Sequence, residues 1–242
     1  MHSMRLIRRC CMLAAFMVVL PGSLPAQTGK IRTILFCRVK PERKGEWEAG
    51  VKRYIALMKK TGSPQQFTVW TALSGPDQYA VVWHAARWKD LNEVPGIAIV
   101  AAGQSDASVN TETWIDELQQ DLTIAGKETP KMVRTAQIRV TPGRVDEVLA
   151  AFKTDALPAL KKAGVTDWGV AIARYGTPTN EIHLYSAIGD WGELDGPTNL
   201  QKEMTAEEYK AYQARLRPYM EMVEWTMWSF QPDLSYTPAA KQ

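Results

Sequence analysis

The feature that most constrains this chain is an internal repeat, in which one sequence unit recurs about 101 residues later. Residues 38–43 read RVKPER and residues 139–144 read RVTPGR, and an apolar, strand-like run ends just before each proline. A helical pattern follows in both copies and ends in a Lys-Lys pair and a glycine, Gly62 or Gly164. Two similar units predict a fold of two similar halves; the alternative is a chance likeness between two α+β halves.

Both copies continue as a predicted β-hairpin. In the first copy, strand patterns at 67–73 and 78–83 flank a Gly-Pro-Asp turn, and in the second copy the matching strands are 168–174 and 181–188. The first copy then predicts, from a weaker pattern, a helix within 97–110 and a short strand around 113–122.

The second copy closes with a helix and a strand. Thr205 and Glu208 form a capping-box pattern that predicts a helix start, and Pro218 predicts its end. The alternating run 224–230 predicts a final strand.

The order β-α-β-β-α-β is that of the ferredoxin-like unit. We therefore predict an α+β fold of two ferredoxin-like β-α-β-β-α-β repeats whose antiparallel sheets pack as an α/β barrel. The predicted divisions are a signal peptide at 1–26, a first repeat at 30–122, a linker at 123–131, a second repeat at 132–236 and a tail at 237–242.

The first 26 residues have the pattern of a secretory signal peptide. Arg5, Arg8 and Arg9 precede an apolar run at 10–20, and small residues lead to Ala26. The run is about half as long as a membrane-spanning helix requires, although an uncleaved anchor is an alternative. We expect an exported protein, periplasmic or extracellular, with no membrane association after cleavage.

The charge of the remaining chain excludes one class of partner. The whole sequence has 29 basic and 26 acidic residues, and the predicted signal holds three of the basic ones and no acid, so 26 of each remain. A neutral chain lacks the basic surplus of a nucleic-acid binder, and we expect no nucleic-acid partner. Cys37 is the one cysteine after residue 26, so we expect a buried thiol and no internal disulfide.

Several chemistry-bearing motifs are absent from the sequence. It contains no G-x-G-x-x-G, P-loop, H-E-x-x-H, C-x-x-C or G-x-S-x-G pattern. Only two histidines, His84 and His183, follow the predicted signal, which excludes a three-histidine metal site. We predict no metal site and no cofactor.

Strand alternation indicates which side chains face the space between the two sheets. Leu35, Cys37 and Val39 share the apolar parity of the first strand and should face the helices. The opposite parity of the strands predicts an aromatic pocket with polar tips for a small organic ligand. The predicted ligand-binding residues are Arg38, Arg139, Trp70, Trp83 and Tyr185, and the candidate general bases are His183 and His84.

In such a pocket a histidine could take an acidic proton from the ligand while an arginine holds the resulting oxyanion. The alternative interpretation is structural, with the polar groups satisfied locally and the large rings simply filling the space between the sheets.

The arrangement resembles the dimeric α/β-barrel (ferredoxin-like) superfamily, and most closely tandem-duplicated members of the NIPSNAP type and the antibiotic-biosynthesis-monooxygenase-like type. Residues 228–236, WSFQPDLSY, resemble the end of secreted bacterial tandem members, and the resemblance covers about 30–236. It implies a cofactor-independent oxygenase or isomerase if the protein is an enzyme, and a possible homodimer. It assigns no catalytic residue.

Three functions stay open at this point. The first is an exported barrel protein that binds a small aromatic or apolar molecule between its sheets. The second is a non-catalytic structural module that acts through self-association. The third is a haem-binding protein, since the superfamily includes haem-handling members. His84 or His183 would then be the axial ligand, although both lie on predicted strands.

Overall fold

The computed structural model describes residues 29–74, 78–93 and 108–238. The predicted signal peptide, most of the helix predicted within 97–110 and the end of the predicted tail lie outside these residues. The described strands are β1 (Ile31–Val39), β2 (Thr68–Ala72), β3 (Gln78–Ala85), β4 (Ser108–Leu118), β5 (Met132–Val140), β6 (Trp168–Tyr175), β7 (Glu181–Ile188) and β8 (Met220–Phe230). The α-helices are α1 (Lys44–Thr61), α2 (Val145–Ala151, π-helical Phe152–Ala156 and Leu157–Lys162), α3 (Asn199–Glu203) and α4 (Ala206–Leu216).

The eight strands form one closed antiparallel barrel in the order β1-β3-β2-β8-β5-β7-β6-β4. Within each half of the chain the fourth strand pairs with the first, the first with the third and the third with the second. The predicted α+β class is therefore confirmed. The two expected sheets are not separate layers, because β2 pairs with β8 and β4 pairs with β6 to make one continuous sheet. Closure leaves no unpaired edge in this ring of strands.

The outer face of the barrel carries the main apolar cores. Leu35, Cys37 and Val39 of β1 pack in one cluster with Trp47 and Val51 of α1, as the alternation predicts. A second cluster joins the outward residues of β5, β6 and β7 to α2 and to Leu216 of α4. Because the helices cover the outer face, the inward residues are left to line the barrel interior.

The helix boundaries follow local signals. Thr205 accepts a hydrogen bond from the backbone N–H of Glu208, whose side chain caps Thr205 in return, so the predicted capping box is confirmed. The helix α4 ends at Leu216, two residues before Pro218. A π-helical stretch in α2 precedes Pro158, which has no N–H to donate to the preceding turn. No helix in the described ranges combines the length and the apolar composition needed to cross a bilayer.

The predicted bounds of two strands and one helix were wrong. The final strand, expected at 224–230, begins at Met220. The strand expected around 113–122 is β4, which begins at Ser108 and ends at Leu118, and residues Gln120–Leu122 form a 3-10 turn. The helix predicted within 97–110 therefore does not include residues 108–110. The reason is long-range pairing, because β4 pairs with β1 from Ile31 to Val39 and this ladder holds its polar early residues in the sheet.

The buried thiol of Cys37 gives a first test of this packing. Burial raises the pKa of Cys37 to about 12, and its side chain lies in the core between β1 and α1. We expect a thiol reagent to modify Cys37 at least about a hundredfold more slowly in the native protein than in denaturant. The measurement is the labelling rate at pH 8 of a chain that begins at residue 27, in which Cys37 is the sole cysteine. Rapid labelling of the folded chain would show that this core is open.

Candidate functional site

The barrel interior encloses a cavity of about 520 Å³. This volume lies within the range of small-molecule sites, roughly 300–1,000 Å³. Its lining includes an aromatic region, formed mainly by β1, β2, β4 and β8, and two members of a polar cluster, Arg32 of β1 and His183 of β7. The third member of the polar cluster, Asp116 of β4, contacts both of them. The segment between β4 and β5 lines a further part of the wall.

The aromatic region is built from rings that contact one another. Phe36 lies 4.6 Å from Trp114 and 5.8 Å from Trp228, centroid to centroid, and Trp70 belongs to the same cluster. Each indole N–H donates to a nearby side-chain oxygen: Trp70 to Thr68 at 3.0 Å, Trp228 to Thr135 at 3.0 Å and Trp114 to Glu112 at 2.6 Å. Because the indole N–H groups are satisfied locally, this region offers a ligand mainly apolar ring surface.

The polar cluster consists of Arg32, Asp116 and His183. The Nη2 atom of Arg32 donates to Oδ2 of Asp116 at 2.6 Å, and its Nε donates to the same oxygen at 3.2 Å. The other carboxylate oxygen, Oδ1, lies 3.0 Å from Nδ1 of His183. Asp116 is fully buried, and Arg32 faces it directly across the β1–β4 ladder. Pairing register therefore fixes one of these contacts.

The second contact, between Asp116 and His183, depends on small residues in β6. This strand separates β4 from β7, and its residues Ala173 and Ala171 pair with Asp116 and His183. A larger side chain at either alanine would lie between the carboxylate and the imidazole. The neighbouring Gly169 is covered by the ring of Tyr185, since a Cβ there would lie 2.2 Å from two ring atoms.

The charge of Asp116 determines the state of His183. Burial alone would raise the pKa of Asp116, but Arg32 and the hydrogen bond with His183 together hold it below its usual value. With Asp116 ionised, Nδ1 of His183 must carry the proton of their hydrogen bond, an assignment that follows from the network. In neutral His183 the lone pair is therefore on Nε2.

The Nε2 atom of His183 is buried and makes no hydrogen bond in the described structure. It lies 3.8 Å from Oε2 of Glu181, which is itself fully buried. Glu181 accepts hydrogen bonds from Gln137 at 2.6 Å and from Arg139 at 3.1 Å. His183 therefore lies between two buried carboxylates, each of which has an arginine on its other side.

The second histidine has a different environment. His84 pairs with Arg32 across β1 and β3 and lines the cavity. Burial and the positive charge of Arg32 lower the pKa of His84 to about 3, so it is neutral at physiological pH. For His183 it is the carboxylate of Asp116 that fixes the tautomer.

The structure brings most of the predicted site residues together. Arg38, Trp70, His84, His183 and Tyr185 all line the cavity. Burial raises the pKa of Tyr185 to about 12, which keeps its hydroxyl protonated, and its ring lies 5.3 Å from the guanidinium carbon of Arg32.

Two predicted residues lie elsewhere. Trp83 faces outward into the core beneath α1, contrary to the expectation that it lines the interior, because its neighbours Val82 and His84 face inward on the same strand. Arg139 pairs with Glu181, its side chain is 45% exposed, and it is not among the cavity-lining residues.

The sequence interpretation missed Arg32, Asp116 and Glu181. Arg32 has the same parity as Arg38 on β1, so alternation alone could have found it. Asp116 lies within the strand expected around 113–122, but its partners Arg32 and His183 lie on strands far away in the sequence. The sequence marks Glu181 only as the first residue of a predicted strand.

The described side chains differ in how well they suit a metal ion and a haem group. Among them no group of three His, Cys, Asp or Glu residues is arranged to hold a metal ion. A haem iron needs an imidazole nitrogen with free access. In His183 the bond from Nδ1 to Asp116 leaves the lone pair on Nε2, as in most metal-ligating histidines, and Nε2 lies 3.8 Å from Oε2 of Glu181. The tautomer of His183 therefore suits axial ligation, whereas the position of His84 beside the cation Arg32 does not.

Comparison with protein-family models and with curated protein sequences finds no match. Similar solved structures include a presumed monooxygenase from Lactobacillus acidophilus NCFM, with TM-score 0.59 and 12% identity over 86% of this chain and 96% of that one. An anthrone oxidase-like protein matches with TM-score 0.55 and 14% identity over 91% and 98%. A chlorite dismutase variant from Candidatus Nitrospira defluvii matches with TM-score 0.56 and 11% identity over 86% and 94%. The chain thus shares the α+β fold of these proteins.

Removal of the Asp116 carboxylate tests the polar cluster. In Asp116→Ala, Arg32 stays buried without its partner, and loss of one partner of a buried ion pair costs about 3–5 kcal/mol. We expect that loss in the free energy of unfolding, measured with urea at pH 7. The pKa of Asp116 is lower in the folded protein than its ordinary value of 3.8. The stabilisation by the Asp116 contacts is therefore fully present at pH values above 3.8 and is lost as the pH falls through the lowered pKa.

The matched control is Asp121→Ala, which removes an exposed carboxylate paired with Lys153 and should change the unfolding free energy little. Equal losses in the two variants would show that the Asp116 contacts are not formed as described.

Proposed function

We propose that this protein binds one small, planar aromatic molecule inside its barrel, with the rings of the ligand against the aromatic region and one polar group at His183. The observation that carries this proposal is the division of one 520 Å³ cavity into an aromatic wall and a buried polar cluster. Such a cavity suits a ligand that is apolar over most of its surface and polar at one edge.

The two halves of the barrel support a single orientation of the ligand. The repeat relates each position of β1 to the position 101 residues later on β5, so Arg32 is equivalent to Val133. The strands paired with β1 and β5 then make Asp116 equivalent to Trp228 and His183 equivalent to Ala80. The polar cluster, which joins strands of both halves, thus corresponds to an apolar set at the equivalent positions on β5, β8 and β3. A ligand with one polar end fits only one way round in such an interior.

The local charges favour a neutral polar group on the ligand at this point. The Nε2 atom of His183 is flanked by Glu181, and Nδ1 by Asp116, so a ligand carboxylate there would meet like charge. A hydroxyl group could instead donate a hydrogen bond to the lone pair of Nε2, which accepts no other hydrogen bond in the described structure. A phenol or enol is therefore the ligand class that this polar cluster suits best.

The same contacts define the activity that we propose for the site, which is proton transfer. His183 accepts the ligand proton at Nε2, Asp116 stabilises the imidazolium through Nδ1, and the electron pair left on the ligand oxygen lies in the field of Arg32. Return of the proton to another ligand atom completes an isomerisation with no further reagent. The likeness in fold to a presumed monooxygenase and an anthrone oxidase-like protein supports aromatic chemistry of this kind.

The test is a binding screen with naphthols, hydroxyquinones and benzoic acids, read by thermal shift and by quenching of tryptophan fluorescence. Trp70, Trp114 and Trp228 line the cavity, so a bound aromatic ligand should quench them. We expect a saturable increase in Tm, larger for the hydroxylated compounds than for the acids. His183→Gln should weaken the binding of the best hydroxylated compound about tenfold, roughly 1.4 kcal/mol.

Trp191→Phe is the matched control, because Trp191 is 53% exposed and is not among the cavity-lining residues. It should leave the affinity unchanged. Binding with equal affinity by both variants would place the ligand outside the cavity, and no shift with any compound would reject the proposal.

Haem binding is the second candidate, since the solved structures that match include a haem-binding protein from Thermus thermophilus at TM-score 0.50 and 12% identity. The tautomer of His183, with its lone pair on Nε2, would suit axial ligation, but the buried carboxylate of Glu181 lies 3.8 Å from that atom. Titration with haem separates the two functions: a shifted Soret band that is lost in His183→Ala would favour haem over the aromatic ligand.

Export and oligomeric state belong to the proposal as well. Cleavage after a signal peptide near residue 26 would appear as a mature N-terminus in the periplasmic or secreted fraction. Self-association is the structural alternative, and light scattering of the mature chain tests it. All eight strands of the barrel come from one chain, so a second copy is not needed to close it.

A further inference from the structure

One wall of the cavity is not a strand but the segment at 123–131, which we call the strap. It joins the end of β4 to the start of β5 and passes the ends of β6 and β7, which lie between them in the barrel order. The strap residues that line the cavity are Thr123, Ala125, Gly126, Thr129 and Pro130. The sequence indicated only a linker here, but the structure makes this segment part of the ligand site.

Several contacts hold the strap against the barrel, among them the hydrogen bond from the backbone N–H of Phe230 to the carbonyl of Lys131 at 2.9 Å. Ile124 and Trp168 exchange backbone hydrogen bonds of 2.7 and 2.9 Å in an isolated bridge. The side chain of Thr123 shares a hydrogen bond with the hydroxyl of Tyr185. The backbone N–H of Gly126 donates to the carboxylate of Asp167. Of these contacts, only the last involves a group that titrates near neutral pH.

The contact between Gly126 and Asp167 is unusually close. A Cβ at Gly126 would lie 2.9 Å from Oδ2 of Asp167, so a residue with a side chain would push the strap away from the barrel. Asp167 lines the cavity, and burial raises its pKa to about 6 although the Gly126 hydrogen bond acts in the opposite direction. Tyr185 faces this carboxyl from β7, with Arg32 beyond it on β1, while Lys127 and Glu128 of the strap are exposed.

We infer that the strap can open and close the cavity and that the protonation of Asp167 controls this equilibrium. The closed position is favoured as the pH falls and the open position as the pH rises. When the strap lifts, Asp167 becomes solvated. The open form then has the ordinary pKa of 3.8, against about 6 in the closed form. The closed form binds the proton more tightly, so acid favours closure between these two values and ionisation favours opening.

The size of the effect follows from the two pKa values. Between pH 5 and pH 8 the opening equilibrium of the strap should rise about tenfold, because at pH 5 most closed molecules carry the proton and most open molecules do not. Above pH 8 the opening equilibrium of the strap should no longer depend on the protonation of Asp167.

Hydrogen exchange of the ligand-free protein tests the inference, with the strap amides followed by mass spectrometry from pH 5 to pH 8 after correction for intrinsic exchange. We expect the tenfold rise in strap opening while peptides from β6 and β7 keep constant protection, which excludes global unfolding. In Asp167→Asn, which mimics the protonated side chain, opening should stay at its low, acidic value at every pH. Gly126→Ala should raise opening at every pH.

Asp121→Asn is the control, because it removes an exposed carboxylate just before the strap that pairs with Lys153 and does not line the cavity. It should keep the full pH dependence. The inference is overturned if wild-type strap exchange does not change with pH, or if Asp167→Asn retains the change. Since no ligand is present, failure of this experiment is independent of whether the protein binds an aromatic molecule.

Discussion

A fully buried carboxylate, Asp116, is the constraint on which the interior of this barrel depends. An ionised carboxylate away from water is tolerated only where strong donors surround it, and here Arg32 and His183 occupy its two oxygens. The contact with Arg32 requires the observed register of β4 against β1. The contact with His183 crosses β6, where the residues beside Asp116 and His183 are alanines. The Asp116 contacts also determine the tautomer of His183, so the chemistry of the cavity is a consequence of how one charge is accommodated.

The inner faces of the two halves carry side chains of different size at equivalent positions. On β2 the inward position beside Ala80 is Trp70, which fills the interior with an aromatic ring. On β6 the inward position beside His183 is Ala171, which leaves room for the polar cluster. The outer faces of both halves carry similar apolar cores under helices. The two halves thus have similar outer cores beneath their helices and different inner faces.

The sequence predicts features of this molecule that depend on local pattern. The repeated prolines, the capping box at Thr205 and strand alternation lead to the helices, to the inward face of β1 and to the inward position of His183. Asp116 lies within the strand expected around 113–122, but the register that places it opposite Arg32 is set by the long-range pairing of β4 with β1. Its contact with His183 joins strands of different halves, and that proximity is a property of barrel closure. Trp83 was misplaced because aromatic character was given more weight than parity.

The strap and the polar cluster are parts of one continuous set of contacts. Thr123 of the strap bonds Tyr185, the ring of Tyr185 lies 5.3 Å from the guanidinium carbon of Arg32, and Arg32 holds Asp116. The same strand, β6, makes room at both places, with Gly169 under Tyr185 and Ala171 beside His183. A displacement of the strap would therefore release one support of the Tyr185 ring, and with it a neighbour of Arg32. If the strap opens as inferred, Tyr185 and Arg32 are the residues through which its movement would reach the polar end of the cavity.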